Sequence, residues 1–396
     1  MQQQRLAGWH EVTPASNWLL MRRVLYVMPN AVPGGAERVT MLMLAHHDLQ
    51  RYEPGVLFFN DGPLVGEARA LRIRTHVLGR PLRLRDPFSV GAAIAESSRL
   101  IRDEQYALLH SCMSYGHLIG GSAAARAHVP AVLYQHGPLG GWMDGAATVL
   151  RCDHILTNSA FSADAQRAHS WRQRPVTVAP CAVDLTIPDD ERANLVGEVN
   201  AEHGLSPDTA VVGIVARFDP LKGIDVAIRA VAPLLRHRQT MRFMVIGGQY
   251  NQFYPECEGE LRALVASEGV GQQVIFAGYR ANVRPYYARL DALVNASLQP
   301  EGFGLTIIEA MAAGVPVIAP RVGGPAEIVD DGVDGLLHTP GDEAALRNAL
   351  MRILDDEPFR RSMIAAGHSK VERRYRPHAM MSVIEQVYDQ LLQDAA

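Results

Sequence analysis

The chain alternates between short apolar runs and longer stretches whose apolar positions recur at helical spacing. Val24-Leu-Tyr-Val-Met28 is the first run, and beyond a glycine turn come Val39, Leu42, Met43 and Leu44. Gly55–Phe59, Thr75–Leu78, Leu108–His110 and Ala131–Tyr134 repeat the pattern, with helix-spaced segments between them. A second series begins at Val211–Ala216 and continues through Phe243–Ile246, Val274–Ala277, Ala292–Ser297 and Val315–Ala319. Apolar runs without alternation mark strands buried on both faces. Strands alternating with helices predict an α/β fold of parallel, doubly wound sheets. A chain of 396 residues exceeds one ordinary core, so two such domains are expected.

The expected boundaries are 1–187 and 206–376, with residues 377–396 as a final helix carrying Met380, Val383, Ile384, Val387 and Leu391. Pro188–Leu205 is charged, contains Gly197 and Gly204, and has no strong pattern, so it reads as the connection between domains. Met1–Leu20 lacks a continuous apolar core and a clear cleavage site, and reads as a peripheral head rather than a signal peptide.

Composition narrows the function classes. Apolar residues make up 48% and charged residues 20% of the chain, as in a soluble globular protein. The net charge of −4 gives no reason to expect nucleic acid. It is unevenly spread: 18 Arg face 14 Asp and Glu through Thr186, while the rest carries 20 basic against 28 acidic residues. Arg69, Arg72, Arg74, Arg80, Arg83 and Arg85 concentrate the excess between Leu64 and Pro87. Such a stretch is either a solvated surface or one that meets an anionic acceptor or membrane. Cys112, Cys152, Cys181 and Cys257 form no C-x-x-C pair, which argues against a zinc framework and for buried thiols in a reducing, cytoplasmic setting.

The stretch Glu301-Gly302-Phe303-Gly304-Leu305-Thr306-Ile307-Ile308-Glu309 carries the strongest candidate chemistry. A glycine turn entering a helix leaves backbone N–H groups free at the positive end of the helix dipole, an arrangement suited to phosphate. Glu301 would stand before that site and Glu309 about two turns inside the helix. Glu309 lies among Leu305, Ile308, Met311 and Ala312, and an acid in an apolar stripe needs a partner. Gly34 and Gly35 form another strand–turn–helix junction open to phosphate. That turn is not G-x-G-x-x-G, so no dinucleotide cofactor is indicated. His136 ends the Ala131–Tyr134 run, where ligands of doubly wound sheets bind. Asn158 or Ser159 reads as a helix cap and nothing more. Arg217 and Lys222 are spaced to clamp a diphosphate, Arg in bidentate fashion and Lys as a compact charge.

The run E-G-F-G-L-x-x-x-E-A-M-A-x-G-x-P-V resembles the acid–seven–acid motif of the retaining glycosyltransferases of family 4. The Gly34-Gly35-Ala36-Glu37 loop, the R-x-x-x-x-K-G element at Arg217–Gly223 and the turn at Val322-Gly323-Gly324 extend the likeness. Pro180-Cys181-Ala182-Val183-Asp184 departs from the family's P-N-G-V-D, and Gly137 stands where some relatives have Asp. The resemblance implies a GT-B fold, two Rossmann-like domains facing across a cleft, with the last helix crossing back to the first. It implies sugar transfer with retained configuration from a UDP- or GDP-sugar to a hydroxyl acceptor, in glycoconjugate or polysaccharide synthesis. His136, Arg217, Lys222 and Glu301 would be catalytic. Gly34, Gly35, Gly302, Phe303, Gly304, Leu305, Thr306 and Glu309 would line the donor, and Tyr279 or Arg280 would stack on its base. No metal-binding cluster stands out in the sequence, so a metal-independent reaction without cofactor is expected. The acceptor would be a sugar or lipid-linked sugar, which allows peripheral contact with the inner face of a membrane. A nucleotide-sugar epimerase on the same fold and a two-domain binding protein remain as alternatives.

Overall fold

The computed structural model describes residues 21–80, 82–137, 139–249 and 254–394, so the expected peripheral head, Met1–Leu20, lies outside the described residues. The first sheet contains β1 (Arg22–Met28), β2 (Tyr52–Phe58), β3 (Arg74–Val77), β4 (Tyr106–Cys112), β5 (Ala131–Gln135), β6 (His154–Thr157) and β7 (Val176–Val178). Their order is β3-β2-β1-β4-β5-β6-β7, and every pairing is parallel. The second sheet contains β8 (Ala210–Val215), β9 (Met241–Ile246), β10 (Val274–Gly278), β11 (Ala292–Val294), β12 (Val317–Pro320) and β13 (Leu336–His338). Its order, β10-β9-β8-β11-β12-β13, is again parallel throughout.

Helices on both faces explain why the strands read as unbroken apolar runs. In β1, Val24, Tyr26 and Met28 enter one core layer and Leu25 and Val27 the opposite one. All five are fully buried. Strand order reverses between β1 and β4 and again between β8 and β11. Crevices for ligands open at the carboxyl ends of such strand pairs.

The stretch Pro188–Leu205 is not an irregular connection. It holds the helix Asp189–His203, which has acids at Asp189, Asp190 and Glu191 in its first turn and ends at Gly204 with φ 63°. Acids favour the positive helix start and glycine the left-handed end. Val199 is its one residue buried outright, so no broad apolar face announces the helix in sequence.

The last helix, Pro377–Gln393, packs on the first sheet. Tyr388 Oη lies 3.0 Å from Tyr26 Oη, Tyr52 donates to the Asp389 carboxylate at 2.7 Å, and the Glu385 carboxylate accepts from the Asp48 N–H at 3.0 Å. No helix among the described residues is long and apolar enough to cross a membrane.

Candidate functional site

Glu301 sits in the loop after β11, ahead of the helix Leu305–Ala312. Gly304 enters that helix at φ 128°, a conformation that side chains rarely tolerate. The Glu301 carboxylate takes hydrogen bonds from the Lys222 ammonium and the Ser297 hydroxyl, and Asn295 Nδ2 approaches at 3.5 Å. Burial alone would raise the acid, but the Lys222 charge and these donors hold it below the usual carboxylate range. Lys222 ends the short 3₁₀ turn Pro220–Lys222, which Asp219 caps by accepting the Leu221 N–H at 2.9 Å. The next residue, Gly223, has φ 61°, and a Cβ there would lie 2.1 Å from the Ala296 carbonyl oxygen. The close approach of these two loops therefore requires glycine. Arg217 follows β8, with its guanidinium 3.7 Å from the Asp219 carboxylate and about half exposed.

Glu309 is the fifth residue of its helix, just over one turn in rather than two, because the helix begins only at Leu305. Its partner is Tyr287, from the helix Arg284–Arg289, whose hydroxyl donates at 2.6 Å. Burial raises the Glu309 carboxyl to about 7, against a smaller lowering by Tyr287.

In the first domain, Gly34 caps the helix Gly35–Ala45, and a Cβ on Gly35 would meet Leu305 of the second domain at 3.3 Å. His136 lies just past β5 and packs against Tyr134, with ring centroids 3.9 Å apart and the rings tilted by 39°. Burial pushes its pKa down to about 3, so the imidazole is neutral near pH 7. Its Nδ1 is 3.9 Å from Cys181 Sγ, whereas its buried Nε2 has no hydrogen-bond partner among the described residues. The His136 carbonyl accepts from Asn158 Nδ2 at 2.8 Å, and Asn158 Oδ1 is likewise buried and unpaired. A buried polar atom left unpaired costs free energy, so both atoms are positions where a ligand's hydroxyls would compensate.

The domains meet at this point. Ser159 donates to the Gly302 carbonyl at 2.6 Å while accepting the Ser162 N–H at 3.0 Å. Glu327 accepts the N–H groups of Ala160 and Phe161 at 2.8 and 2.6 Å. Ser159 is thus a cap and also an interdomain tie, which its sequence context did not reveal. A Cβ on Gly302 would stand 2.9 Å from the His136 carbonyl oxygen, so the Glu301 loop and His136 adjoin.

Tyr279 and Arg280 part company. The Arg280 guanidinium is bound to the Glu202 carboxylate and lies over the Tyr286 ring, 5.1 Å from its centroid. Tyr279 is 66% exposed and remains the residue open to a planar ligand. Ser297, Asn295 and Tyr287 join the candidate site although none carries a distinctive spacing in the sequence, and Asn158 joins it beyond the capping role expected of it. Cys181 and Ala182 are both buried, and neither adopts positive φ, so this turn does not use the left-handed backbone that Asn-Gly would favour.

Two family models match along the chain: Glycosyltransferase Family 4 over residues 33–187 and Glycosyl transferases group 1 over residues 209–356. The chain belongs to glycosyltransferase family 4. D-inositol 3-phosphate glycosyltransferase of Acidothermus cellulolyticus is 36% identical over 220 residues, covering 53% of this chain and 47% of its own length. The lipopolysaccharide core biosynthesis mannosyltransferase LpsB of Rhizobium meliloti is 33% identical over 194 residues, covering 48% and 54%. The chain therefore spans about half the length of these curated relatives. Among solved structures, Anabaena HepE in complex with UDP and glucose superposes with a TM-score of 0.80 at 22% identity, over 93% of this family 4 chain and 99% of that one. Sucrose-phosphate synthase of Thermosynechococcus elongatus gives 0.79 at 22%, over 94% and 100%. These two likenesses carry the fold, which is GT-B.

Proposed function

We propose that this family 4 chain transfers a sugar from a nucleotide diphosphate-sugar to a hydroxyl acceptor with retention of anomeric configuration. The observation that carries the proposal is the Lys222–Glu301 ion pair standing at the domain junction where the neutral His136 leaves Nε2 unpaired. Lys222, Arg217 and the N–H groups entering the helix Leu305–Ala312 would offset the diphosphate charge without a metal. Glu301 and His136 Nε2 would address the sugar hydroxyls, Glu309 the ribose, and Tyr279 the base. In the step itself the acceptor oxygen bonds to the anomeric carbon on the face from which the phosphate oxygen departs. The acceptor proton passes to that phosphate oxygen. Glu301 is held ionised by Lys222 and is engaged by three donors, which suits a binding acid better than a nucleophile.

HepE was solved with UDP and glucose, which makes UDP-glucose the first donor to test. The setting we favour is glycoconjugate or polysaccharide synthesis at the cytoplasmic face of a membrane. A panel of UDP- and GDP-sugars, read by release of free nucleotide diphosphate and by NMR of the product anomer, tests the proposal. An inverted product refutes retention. Interconversion of nucleotide-sugars without nucleotide release identifies an epimerase instead, and binding without any turnover identifies a binding protein.

A further inference from the structure

Six arginines between Leu64 and Pro87 look like one basic surface in the sequence. The fold divides them. Arg69 and Arg72 precede β3, at the amino end of the strand, and Arg74 is held by the Glu53 and Glu104 carboxylates at 3.1 and 2.7 Å. Arg80, Arg83 and Arg85 follow β3, on the sheet end from which Gly34 and His136 also leave. All three are exposed. Among the described residues none of their side chains has an ion-pair or hydrogen-bond partner.

This loop is built rather than loose. The Asp86 N–H donates to the Arg83 carbonyl at 2.9 Å, and the Arg83 N–H to the Ser89 hydroxyl at 3.0 Å. Asp86, the one acid between Arg80 and Phe88, accepts the Phe88 N–H at 3.0 Å as the cap of the helix Pro87–Asp103. The turn presents Phe88, 89% exposed, beside Leu84, 41% exposed. An exposed aromatic ring in the same short stretch as three unpaired cations has the chemistry of a membrane-interface anchor.

We propose that Arg80 and residues 82–88 dock the protein on an anionic lipid bilayer, with Phe88 and Leu84 entering the interface and Arg80, Arg83 and Arg85 meeting headgroup phosphates. Charge decides for lipid over a second copy of this chain, because a twofold contact would set the three cations against their own symmetry mates. Docked in this way, the bilayer lies against the sheet end that carries Gly34 and His136, so a lipid-borne acceptor would be delivered to the cleft. Only that last point rests on the proposed transfer reaction.

Vesicle flotation tests the docking without any donor sugar. The protein should float at low salt with phosphatidylcholine vesicles containing phosphatidylglycerol and stay behind with phosphatidylcholine alone. Arg83→Ser and Arg85→Ser should each weaken partitioning about fivefold, an effect that vanishes in high salt. Phe88→Ser should weaken it roughly tenfold, with the loss surviving high salt. These positions are exposed, so unchanged melting temperatures should accompany the losses. A wild-type protein that ignores anionic vesicles at low salt overturns the proposal, as does a Phe88→Ser variant that floats like wild type. A concentration-dependent dimer abolished by Phe88→Ser, without vesicle binding, assigns the loop to self-association and overturns it too.

Discussion

Glu309→Gln should make the ligand-free protein more stable at alkaline pH while weakening its hold on nucleotide. The carboxyl is raised from 4.5 to about 7 by burial. That displacement is worth about 3 kcal/mol, at roughly 1.4 kcal/mol per pH unit. The residue is not fully buried, which makes about 3 kcal/mol an upper figure. The folded value lies above the unfolded one. The stabilising contribution of the protonated acid is therefore complete below 4.5 and is lost as pH rises through about 7. Glutamine keeps the shape and an acceptor for Tyr287 but does not titrate. The stability difference between variant and wild type should be near zero at acid pH, grow between 4.5 and about 7, and then level off. At the plateau it corresponds to a melting-temperature gap on the order of 5 °C. Thermal unfolding of both proteins across the pH range measures it, and taking the difference removes every other titrating group. In the proposed role the ionised acid accepts ribose hydroxyls, so UDP binding should also tighten as pH rises through about 7 and release a proton. In Glu309→Gln that pH dependence should disappear and affinity fall by about 1.5–3 kcal/mol. A stability difference that stays flat with pH, or a variant less stable than wild type in alkali, refutes the reasoning.

Lys222→Ala removes the cation from a half-buried carboxylate, so it should cost about 1–3 kcal/mol of stability as well as UDP affinity, and adding Glu301→Gln should restore the stability but not the affinity. Denaturant titration and calorimetric UDP binding read the two effects. Glu327→Ala frees the start of the helix Ala160–His169, should weaken domain closure by about 1 kcal/mol, and should raise the radius of gyration in small-angle scattering. Cys181→Ala leaves His136 Nδ1 without its neighbour and should slow turnover about tenfold with UDP affinity unchanged, whereas Cys181→Ser, which keeps a donor, should recover most of it. Equal loss in both Cys181 variants would show that the contact is packing alone.

The sequence by itself carried the two-sheet plan, because a strand buried on both faces leaves an unbroken apolar run whatever its neighbours are. It also carried the turns, since a position such as Gly304, at φ 128°, accepts little but glycine. Glu301, Lys222, His136 and Glu309 were legible as types in motifs. The helix Asp189–His203 was not, because its caps are clear but it buries too little for a hydrophobic period to show. Only the tertiary structure decided who meets whom. Lys222 and Glu301 are 79 residues apart and form an ion pair because β8 lies beside β11. Tyr287 reaches Glu309 from another helix, and Glu202 holds the Arg280 guanidinium. Ser159 ties His136's domain to Gly302, and β3 splits one run of arginines between opposite ends of a sheet. Periodicity records how deeply each residue is buried and which backbone it must adopt. Partners across a site are set by strand order and domain closure, and these depend on contacts that no local stretch of sequence contains.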